Sequence, residues 1–192
     1  MSLISARRRR PRVALFFSGA GSTLQALLDQ NESLNIVCAF SSKKTALGRL
    51  RCQRQGLFAS VFKFPDDFSI VLEILKDKKI DTVMLVGFMK IVPADFVTQF
   101  KALGYNHRIF NIHPSLLPNY KGLRAIEAAF ADKSSLGVTI HDVVAEVDSG
   151  DFFKRQSVLN SEEVASLNID EAFLWQRACE QQILRSWGSA VA

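Results

Sequence analysis

Short apolar runs alternate with amphipathic segments along the chain, and this alternation constrains the fold more than any other feature. Residues 13–19, 35–41 and 81–88 have the length and composition of buried strands, and helix-like segments follow them. A helix between two strands carries the chain back to the starting edge of the sheet, so the strands run parallel with right-handed connections. The alternation therefore predicts an α/β fold with a Rossmann-like, doubly wound sheet.

The other predicted elements complete this arrangement. A strand begins the segment 108–122, and further strands are predicted at residues 60–64, 137–144 and 152–159. Helices are predicted from Ser22 onward and at residues 46–55, 68–78, 94–103, 123–132 and 170–187. Too few residues separate the last two strands for a crossover helix, so we expect a mainly parallel sheet with an antiparallel C-terminal strand pair.

Length and charge indicate a single domain, residues 13–192, behind a basic N-terminal arm, residues 1–12. The arm contains five of the 24 basic residues, and the remainder equal the 19 acidic residues in number. These five are Arg7, Arg8, Arg9, Arg10 and Arg12. We expect the arm to be solvated and disordered. Because the domain itself is neutral, the net charge of +5 does not indicate a nucleic-acid partner, and none is expected.

Apolar length and cysteine spacing restrict the cellular setting. No apolar run approaches the roughly 20 residues of a membrane helix, so no membrane partner is expected. The N-terminal arginines are not followed by the apolar segment of a secretory signal. Cys38, Cys52 and Cys179 are scattered without a C-x-x-C pair, which favours reduced thiols in the cytoplasm. The sequence leaves the oligomeric state open.

The segment 108–122, RIFNIHPSLLPNYKG, contains the first candidates for chemistry. Asn111 and His113 are two residues apart on a predicted strand, so their side chains lie on the same face. Pro114 and Pro118 end the strand and stiffen the chain behind it. A neighbouring amide and imidazole suit a carbonyl oxygen that becomes negative during a reaction. A structural histidine bonded to a backbone carbonyl is the other open interpretation.

A glycine-rich turn, residues 19–21, follows the first strand. The spacing of Ser22 and Gln25 predicts a capping box at the start of the next helix. A strand, a turn and a helix N-terminus direct backbone N–H groups at an anion, and a purely structural turn fits the same residues. Leu24 stands where a dinucleotide fingerprint has its third glycine, and residues 41–44 contain no acid for a ribose. The pattern therefore argues against NAD.

Further candidates fall at the carboxyl ends of the predicted strands, where open α/β sheets bind their ligands. Phe88 and Met89 follow a central strand, and they form either an apolar slot for a flat ring or part of the core. An acidic loop, residues 146–151, follows the strand that contains His141. We expect His141 itself to be a packed residue or one that supports the site from behind.

Two other chemistries fit these residues less well. Asp148 in the acidic loop, with His113 and His141, could bind a metal, but the histidines lie on different elements and no ligand spacing recurs. No metal site is therefore predicted. Ser115 lies close to His113, but the chain lacks the G-x-S-x-G elbow that would present a hydrolase nucleophile.

Three segments together resemble the phosphoribosylglycinamide formyltransferase family of folate-dependent enzymes. They are SGAGSTLQALL after the first strand, GFMKIVP after the fourth, and FNIHPSLLPNYKGL with GVTIHDVVAEVDSGD. The match extends over residues 13–150. NIHPSLLP marks the wider formyltransferase superfamily, whose members also act on initiator methionyl-tRNA and amino sugars, and the glycine-rich turn favours the glycinamide ribonucleotide branch.

The resemblance implies roles for individual residues. The catalytic trio of the family matches Asn111, His113 and Asp148. The phosphate-binding loop matches Gly21, Ser22 and Thr23. The folate-binding residues match Phe88, Met89, Lys90, Ile91, Val92 and Asn111. Glu180 matches an acid that contacts the amine substrate, and the Leu117–Pro118 peptide is expected to be cis.

By the same resemblance, the chain transfers a formyl group from its cosubstrate, 10-formyltetrahydrofolate, to the amine of glycinamide ribonucleotide, a ribose phosphate, without a metal. We expect Asn111 and a protonated His113 to stabilise the oxyanion, and Asp148 to favour the imidazolium and to move the proton. The usual G-N-G-S-N of the family reads G-A-G-S-T here. A nucleotide-linked amino sugar as acceptor and a non-catalytic nucleotide-binding module therefore stay open as alternatives.

Overall fold

The computed structural model describes residues 10–30 and 34–191. The strands are β1 (Arg12–Phe17), β2 (Asn35–Ser41), β3 (Ala59–Val61), β4 (Thr82–Leu85), β5 (Arg108–His113), β6 (Leu136–Asp142) and β7 (Phe152–Leu159). The helices are α1 (Ser22–Leu28), α2 (Gly48–Arg54), α3 (Phe68–Asp77), α4 (Ala94–Ala102), α5 (Ala125–Ala131), α6 (Ser161–Ala165) and α7 (Ile169–Val191). Among these described helices, none combines the length and the apolar character needed to cross a membrane.

The strands form one sheet in the order β3-β2-β1-β4-β5-β6-β7. β1 pairs in parallel with β2 and β4, β2 pairs in parallel with β3, and β4 pairs in parallel with β5. β6 is antiparallel to both of its neighbours, β5 and β7. The mainly parallel sheet and its antiparallel C-terminal pair are therefore confirmed. The pairing of β6 with β5 was not predicted, and it is the pairing that builds the site described below.

Alternate residues of β1 pack against helices on opposite faces of the sheet. Val13, Leu15 and Phe17 belong to a core that includes side chains of α1, α2 and α7. Ala14 and Phe16 belong to a second core, with side chains of α3 and α4. Both faces of β1 are thus removed from water, which explains why its residues from Val13 to Phe17 are all apolar instead of alternating with polar residues.

One local prediction is wrong, and one short helix was not predicted. Ser22 and Gln25 do not form a capping box, because the N-cap of α1 is Gly21, which has φ 75° and no side-chain cap. The carbonyl of Gly21 accepts the N–H of Gln25 at 3.0 Å, so Ser22 already lies inside the helix. The short helix α6 was not predicted, although Asn160 and Glu163 form a reciprocal capping box at its start. A helix of five residues is too short to show an amphipathic repeat.

Most of the predicted N-terminal arm, residues 1–9, lies outside the described residues. Arg12, the last residue assigned to the arm, is the first residue of β1. Its backbone N–H donates to Asp81 Oδ1 at 2.9 Å, and its Nε donates to the carbonyl of Lys78 at 2.9 Å. These bonds attach the start of β1 to the segment that precedes β4.

Candidate active site

The antiparallel pairing of β5 with β6 places polar side chains from both strands together. Asn111 is in register with His141, and Asn111 Nδ2 lies 3.2 Å from His141 Nε2. His141 Nδ1 donates to the carbonyl of Asp142 at 2.9 Å, and Nε2 faces both Asn111 Nδ2 and Asp148 Oδ1. His141 is buried, whereas Asn111 is only partly buried. The register thus adds His141 to the residues that surround the predicted catalytic asparagine.

Asp148 joins these residues from the acidic loop between β6 and β7. Its Oδ2 lies 3.3 Å from His113 Nδ1, and its Oδ1 lies 3.4 Å from His141 Nε2. Gly122 N–H donates to Oδ2 at 2.8 Å, and Asn111 Nδ2 lies 3.5 Å from Oδ1. The backbone of Asp148 has φ 50°, a region that residues other than glycine seldom adopt. The structure therefore gathers the predicted trio around a single carboxylate.

The surroundings of Asp148 favour its charged form. Burial acts to raise its pKa, but the polar contact with His141, the Gly122 N–H and the charges of the two histidines lower the pKa to about 2. The side chain is only 8 % exposed, so these partners take the place of water. Asp148 is consequently a carboxylate at neutral pH.

Burial lowers the pKa of His113 below its ordinary value of 6.5, although the Tyr120 carbonyl and Asp148 act to raise it. This corrects the expectation that Asp148 keeps the ring protonated, because His113 is only 4 % exposed and desolvation of the cation outweighs the carboxylate. Nε2 of His113 lies 2.8 Å from the Tyr120 carbonyl, and Nδ1 faces Asp148. A neutral ring donates to one of these acceptors and an imidazolium to both. The site is therefore arranged to receive a proton on His113.

Residues 119–122, called the strap below, cover the imidazole and the carboxylate. Tyr120 and Gly122 reach them through backbone atoms, the carbonyl of Tyr120 and the N–H of Gly122. The hydroxyl of Tyr120 contacts Ser134 Oγ at 2.7 Å, which ties the strap to the segment between α5 and β6. The Leu117–Pro118 peptide ahead of the strap is cis, as the resemblance implied. Within the trio, Asn111 and Asp148 are partly buried, whereas His113 is buried.

His113, His141 and Asp148, the residues considered for a metal site, contact one another and the backbone. Each histidine has one ring nitrogen on a backbone carbonyl, and the other nitrogen faces Asp148. Within residues 10–30 and 34–191, no group of three or more His, Cys, Asp or Glu side chains has the arrangement of a metal site.

The glycine-rich turn packs closely against the start of α2. Gly21 has φ 75°, and a Cβ at this position would lie 2.9 Å from Gly48 Cα, so the turn requires glycine. Gly48 N–H donates to the carbonyl of Gly19 at 3.2 Å, and Arg51 Nε donates to that of Ala20 at 3.0 Å. The turn and the first two residues of α1 carry the predicted phosphate-binding residues, Gly21, Ser22 and Thr23. Helix α2 therefore holds this part of the candidate site in place.

Glu180, the predicted amine-binding residue, lies on α7 beside the same turn. Thr23 Oγ1 donates to Glu180 Oε2 at 2.7 Å. Burial raises the pKa of Glu180, although the bond from Thr23 and the charge of Arg177 act to lower it. The contact joins the C-terminal helix to the glycine-rich turn. It also directs the hydroxyl proton of Thr23 at a carboxylate and away from any phosphate on the turn.

Apart from Asn111 on β5, the predicted folate-binding residues follow β4 at the same edge of the sheet. Phe88 is partly buried, and its ring packs against two other phenylalanine rings at centroid distances of 5.6 and 5.0 Å. Val92 is buried, and Lys90 is exposed. Met89 and Ile91 are 56 % and 74 % exposed. Phe88 and Val92 thus anchor the segment in the core, and Met89 and Ile91 are its apolar side chains that a ligand can contact.

Comparison with protein families gives a match over most of the chain. A family model described as "Formyl transferase" matches residues 11–173. The phosphoribosylglycinamide formyltransferase of Haemophilus influenzae is 34% identical over 151 residues, which are 72% of this chain and 68% of that protein. The human trifunctional purine biosynthetic protein adenosine-3 is 34% identical over 165 residues. These are 80% of this chain but 16% of the human protein, so the chain spans only a small part of that relative.

Solved structures agree with this match. The phosphoribosylglycinamide formyltransferase of Anaplasma phagocytophilum superposes with a TM-score of 0.83 at 32% identity, covering 93% of this chain and 85% of that one. The phosphoribosylglycinamide formyltransferase of Streptococcus pneumoniae superposes with a TM-score of 0.83 at 28% identity, covering 94% of this chain and 98% of that one. The structural similarity therefore extends over nearly the whole chain, not only over the segments with recognisable motifs.

Proposed function

The chain belongs to the formyl transferase family, and from this premise we propose that it transfers the formyl group of 10-formyltetrahydrofolate to the amine of glycinamide ribonucleotide in purine biosynthesis. The names of the relatives support this acceptor, since they include phosphoribosylglycinamide formyltransferases of similar length. They do not favour a nucleotide-linked amino sugar or a non-catalytic nucleotide-binding module.

The proposal rests on one observation: Asn111 and His113, at the end of β5, both contact the carboxylate of Asp148. The carboxylate of Asp148 is buried between two imidazoles, and the backbone of this residue has φ 50°. A module that only binds a nucleotide has no need for such an arrangement. Buried polar groups are costly unless they are satisfied, so a cluster of this kind in a sheet indicates chemistry. The exposed side chains of Met89 and Ile91 lie on the loop after the neighbouring strand β4, where a flat cosubstrate would bind.

The first step requires a donor for a developing oxyanion. The folate cosubstrate supplies a formyl carbon that the acceptor amine attacks. We assign the donor role to Asn111 Nδ2, because its amide has two N–H groups and the contact with Asp148 Oδ1 uses only one of them. One such donor typically lowers the barrier by about 3–4 kcal/mol.

The second step moves one proton from the attacking nitrogen to the leaving nitrogen as the new C–N bond forms and the old one breaks. Asp148 Oδ1, beside Asn111, is the nearest charged base to that position. His113 is neutral and lies against the other oxygen of the same carboxylate. An imidazolium that forms there donates to both Asp148 and the Tyr120 carbonyl, so the pair holds the proton without additional reorganisation.

The acceptor would bind between the glycine-rich turn and α7. Backbone N–H groups of Gly21 and Ser22 suit its phosphate, and Glu180 suits its hydroxyl or amine groups. Thr23 serves chiefly to hold Glu180, since its hydroxyl proton is already donated. Glycinamide ribonucleotide carries a phosphate, hydroxyl groups and an amine in one molecule. Its phosphate would face the N–H groups of Gly21 and Ser22, and its hydroxyl or amine groups would face Glu180.

We also propose that the reaction takes place in the cytoplasm. Cys38, Cys52 and Cys179 are buried free thiols, and free thiols suit a reducing compartment.

The experiment that tests the proposal is a steady-state assay of the purified chain with 10-formyltetrahydrofolate. Three acceptors are compared at equal concentration: glycinamide ribonucleotide, a nucleotide-linked amino sugar, and glycinamide without the ribose phosphate. We expect formylated product from glycinamide ribonucleotide alone, and loss of product in Asn111→Ala. Formylation of the amino sugar, or of no acceptor at all, would overturn the proposal.

A further inference from the structure

A cleft of about 670 Å³ lies between α2 and the beginning of β3. Every residue that lines it comes from residues 44–59, so neither β5, which carries Asn111 and His113, nor the loop that carries Asp148 contributes to it. β3 is at the far edge of the sheet, and β2, β1 and β4 separate it from β5. The volume is within the range of about 300–1,000 Å³ that is typical of small-molecule sites. The cleft is therefore distinct from the candidate active site.

The cleft lies in the most basic part of the described domain sequence. From Lys43 to Arg54 the chain contains five basic and no acidic residues. Two of them, Lys44 and Arg49, line the cleft, and none of its lining residues is acidic. In the described part of the chain, none of the five forms an ion pair with a carboxylate. A positive field without internal partners attracts an anion from solution.

Arg49 carries an unused donor at this place. Its Nη1 donates to the carbonyl of Lys44 at 2.7 Å, which fixes the guanidinium at the wall of the cleft. Its Nε is buried, and within residues 10–30 and 34–191 it has no hydrogen-bond partner. A buried donor without a partner costs free energy, typically about 1–3 kcal/mol.

The rest of the lining is apolar and open to water. Leu47, Leu50 and Phe58 line the cleft and are 59 %, 51 % and 79 % exposed. Phe58 presents a ring at the start of β3, and rings stack on flat, unsaturated groups. Three exposed apolar side chains beside two cations are complementary to a molecule with one flat apolar part and one anionic part.

We propose that this cleft binds a small planar anion of the size of a nucleoside monophosphate. Its anionic group pairs with Arg49 and Lys44, and its planar group lies on Phe58 between Leu47 and Leu50. The site does not depend on the proposed formyl transfer, because no catalytic residue contributes to it.

The test is isothermal titration calorimetry of the full chain with three probes: adenosine monophosphate, adenosine, and inorganic phosphate. We expect adenosine monophosphate to bind at least about tenfold more tightly than either fragment, because only it uses both parts of the cleft. Arg49→Gln and Phe58→Ala should each weaken its binding by about tenfold. Arg54→Gln is the matched control, since Arg54 is an exposed arginine of the same helix that does not line the cleft. The affinity of this variant for adenosine monophosphate should stay within about twofold of the wild-type value.

Amide chemical shifts locate the probe. Binding in the cleft perturbs Gly56, Leu57 and Phe58, whereas binding at the candidate active site perturbs Gly21, Ser22 and Thr23. Shifts confined to the second group, equal affinity for adenosine monophosphate and inorganic phosphate, or unchanged affinity in Arg49→Gln would each overturn the proposal. If Arg49→Gln does not fold, Lys44→Gln replaces it, because Lys44 is exposed and also lines the cleft. No formyl donor is present, so failure here is independent of the proposed enzymatic activity.

Discussion

At the scale of single residues, the candidate site depends on how one carboxylate is solvated by protein instead of water. Asp148 is nearly buried, yet its pKa falls to about 2 because protein donors and two imidazoles surround it. The same burial leaves His113 neutral, with its pKa below 6.5. A permanent anion and a neutral base in contact form a pair that can take up one proton and release it again.

Asp148→Asn tests this pair directly. The amide is nearly isosteric, but it cannot accept a proton, so we expect turnover to fall by at least about 100-fold while the fold is retained. Steady-state kinetics and circular dichroism measure the two effects. Asp151→Asn, at an exposed residue of the same loop, is the control and should keep turnover within about twofold. Wild-type turnover in Asp148→Asn would remove Asp148 from the mechanism.

The protonation state of His113 is a second quantity that the structure predicts. Because its pKa in the folded chain is lowered, folding favours the neutral ring, so this contribution to stability is present above pH 6.5 and is lost as the pH falls below it. Ring NMR of the folded chain should show His113 titrating below 6.5. Asp148 acts to raise this pKa, so Asp148→Asn should shift the titration to still lower pH. A midpoint above 6.5 in the wild type would contradict the dominance of burial.

The sequence predicted some members of this cluster and missed others for a definite reason. Asn111 and His113 were accessible because a strand has a period of two. His141 is buried and supports the site, as expected, but its place beside Asn111 was not predicted, because it depends on the register between β5 and β6, which no local pattern specifies. Tyr120 and Gly122 contribute backbone atoms, so their side chains give no signal of the contact.

At the scale of secondary-structure elements, the glycine-rich turn and α2 form one unit. Gly21 adopts φ 75° and approaches Gly48 Cα so closely that it has no room for a side chain, and the ring of Phe17 leaves no room for one at Gly48. The turn itself was predicted from its glycines, and so were the strand and helix beside it. The capping box was wrong, because a spacing of serine and glutamine does not show that a glycine in the left-handed region begins the helix one residue earlier.

Gly21→Ala tests whether this close approach supports acceptor binding. The substitution adds strain at positive φ and a contact of 2.9 Å with Gly48 Cα, so we expect about 2–4 kcal/mol of destabilisation and a raised KM for the acceptor. Gly56→Ala is the control, because Gly56 has a similar φ of 70° but nothing lies within 4 Å of the new Cβ. It should lower the free energy of unfolding by only about 1–2 kcal/mol and leave the KM for the acceptor unchanged. Urea unfolding and steady-state kinetics measure both variants. Equal KM values in the two would show that the close approach has no part in binding.

At the scale of the whole molecule, α7 joins the first and last parts of the fold. Its side chains enter the same core as those of α1 and β1, and Gln176 Nε2 donates to the carbonyl of Gly137 on β6 at 2.7 Å. Glu180 of the same helix contacts Thr23 at the glycine-rich turn. The helix was predicted from sequence, but its partners were not, because long-range packing depends on which faces of the sheet remain uncovered.

Trp187→Ala tests how much of the fold this helix stabilises. Trp187 is fully buried, and its ring lies 5.7 Å from that of Phe110 on β5, so truncation leaves a large cavity and should cost about 3–5 kcal/mol. Urea unfolding followed by far-UV circular dichroism should show a lower midpoint with an unchanged slope. Trp175→Ala is the control on the same helix, because Trp175 is 53 % exposed and its loss should cost less than about 0.5 kcal/mol.

If Trp187→Ala is too unstable to purify, Trp187→Phe should give an intermediate loss of stability. Equal stability of the two alanine variants would show that α7 adds little to the fold, and Glu180 would then need another means of being held at the glycine-rich turn.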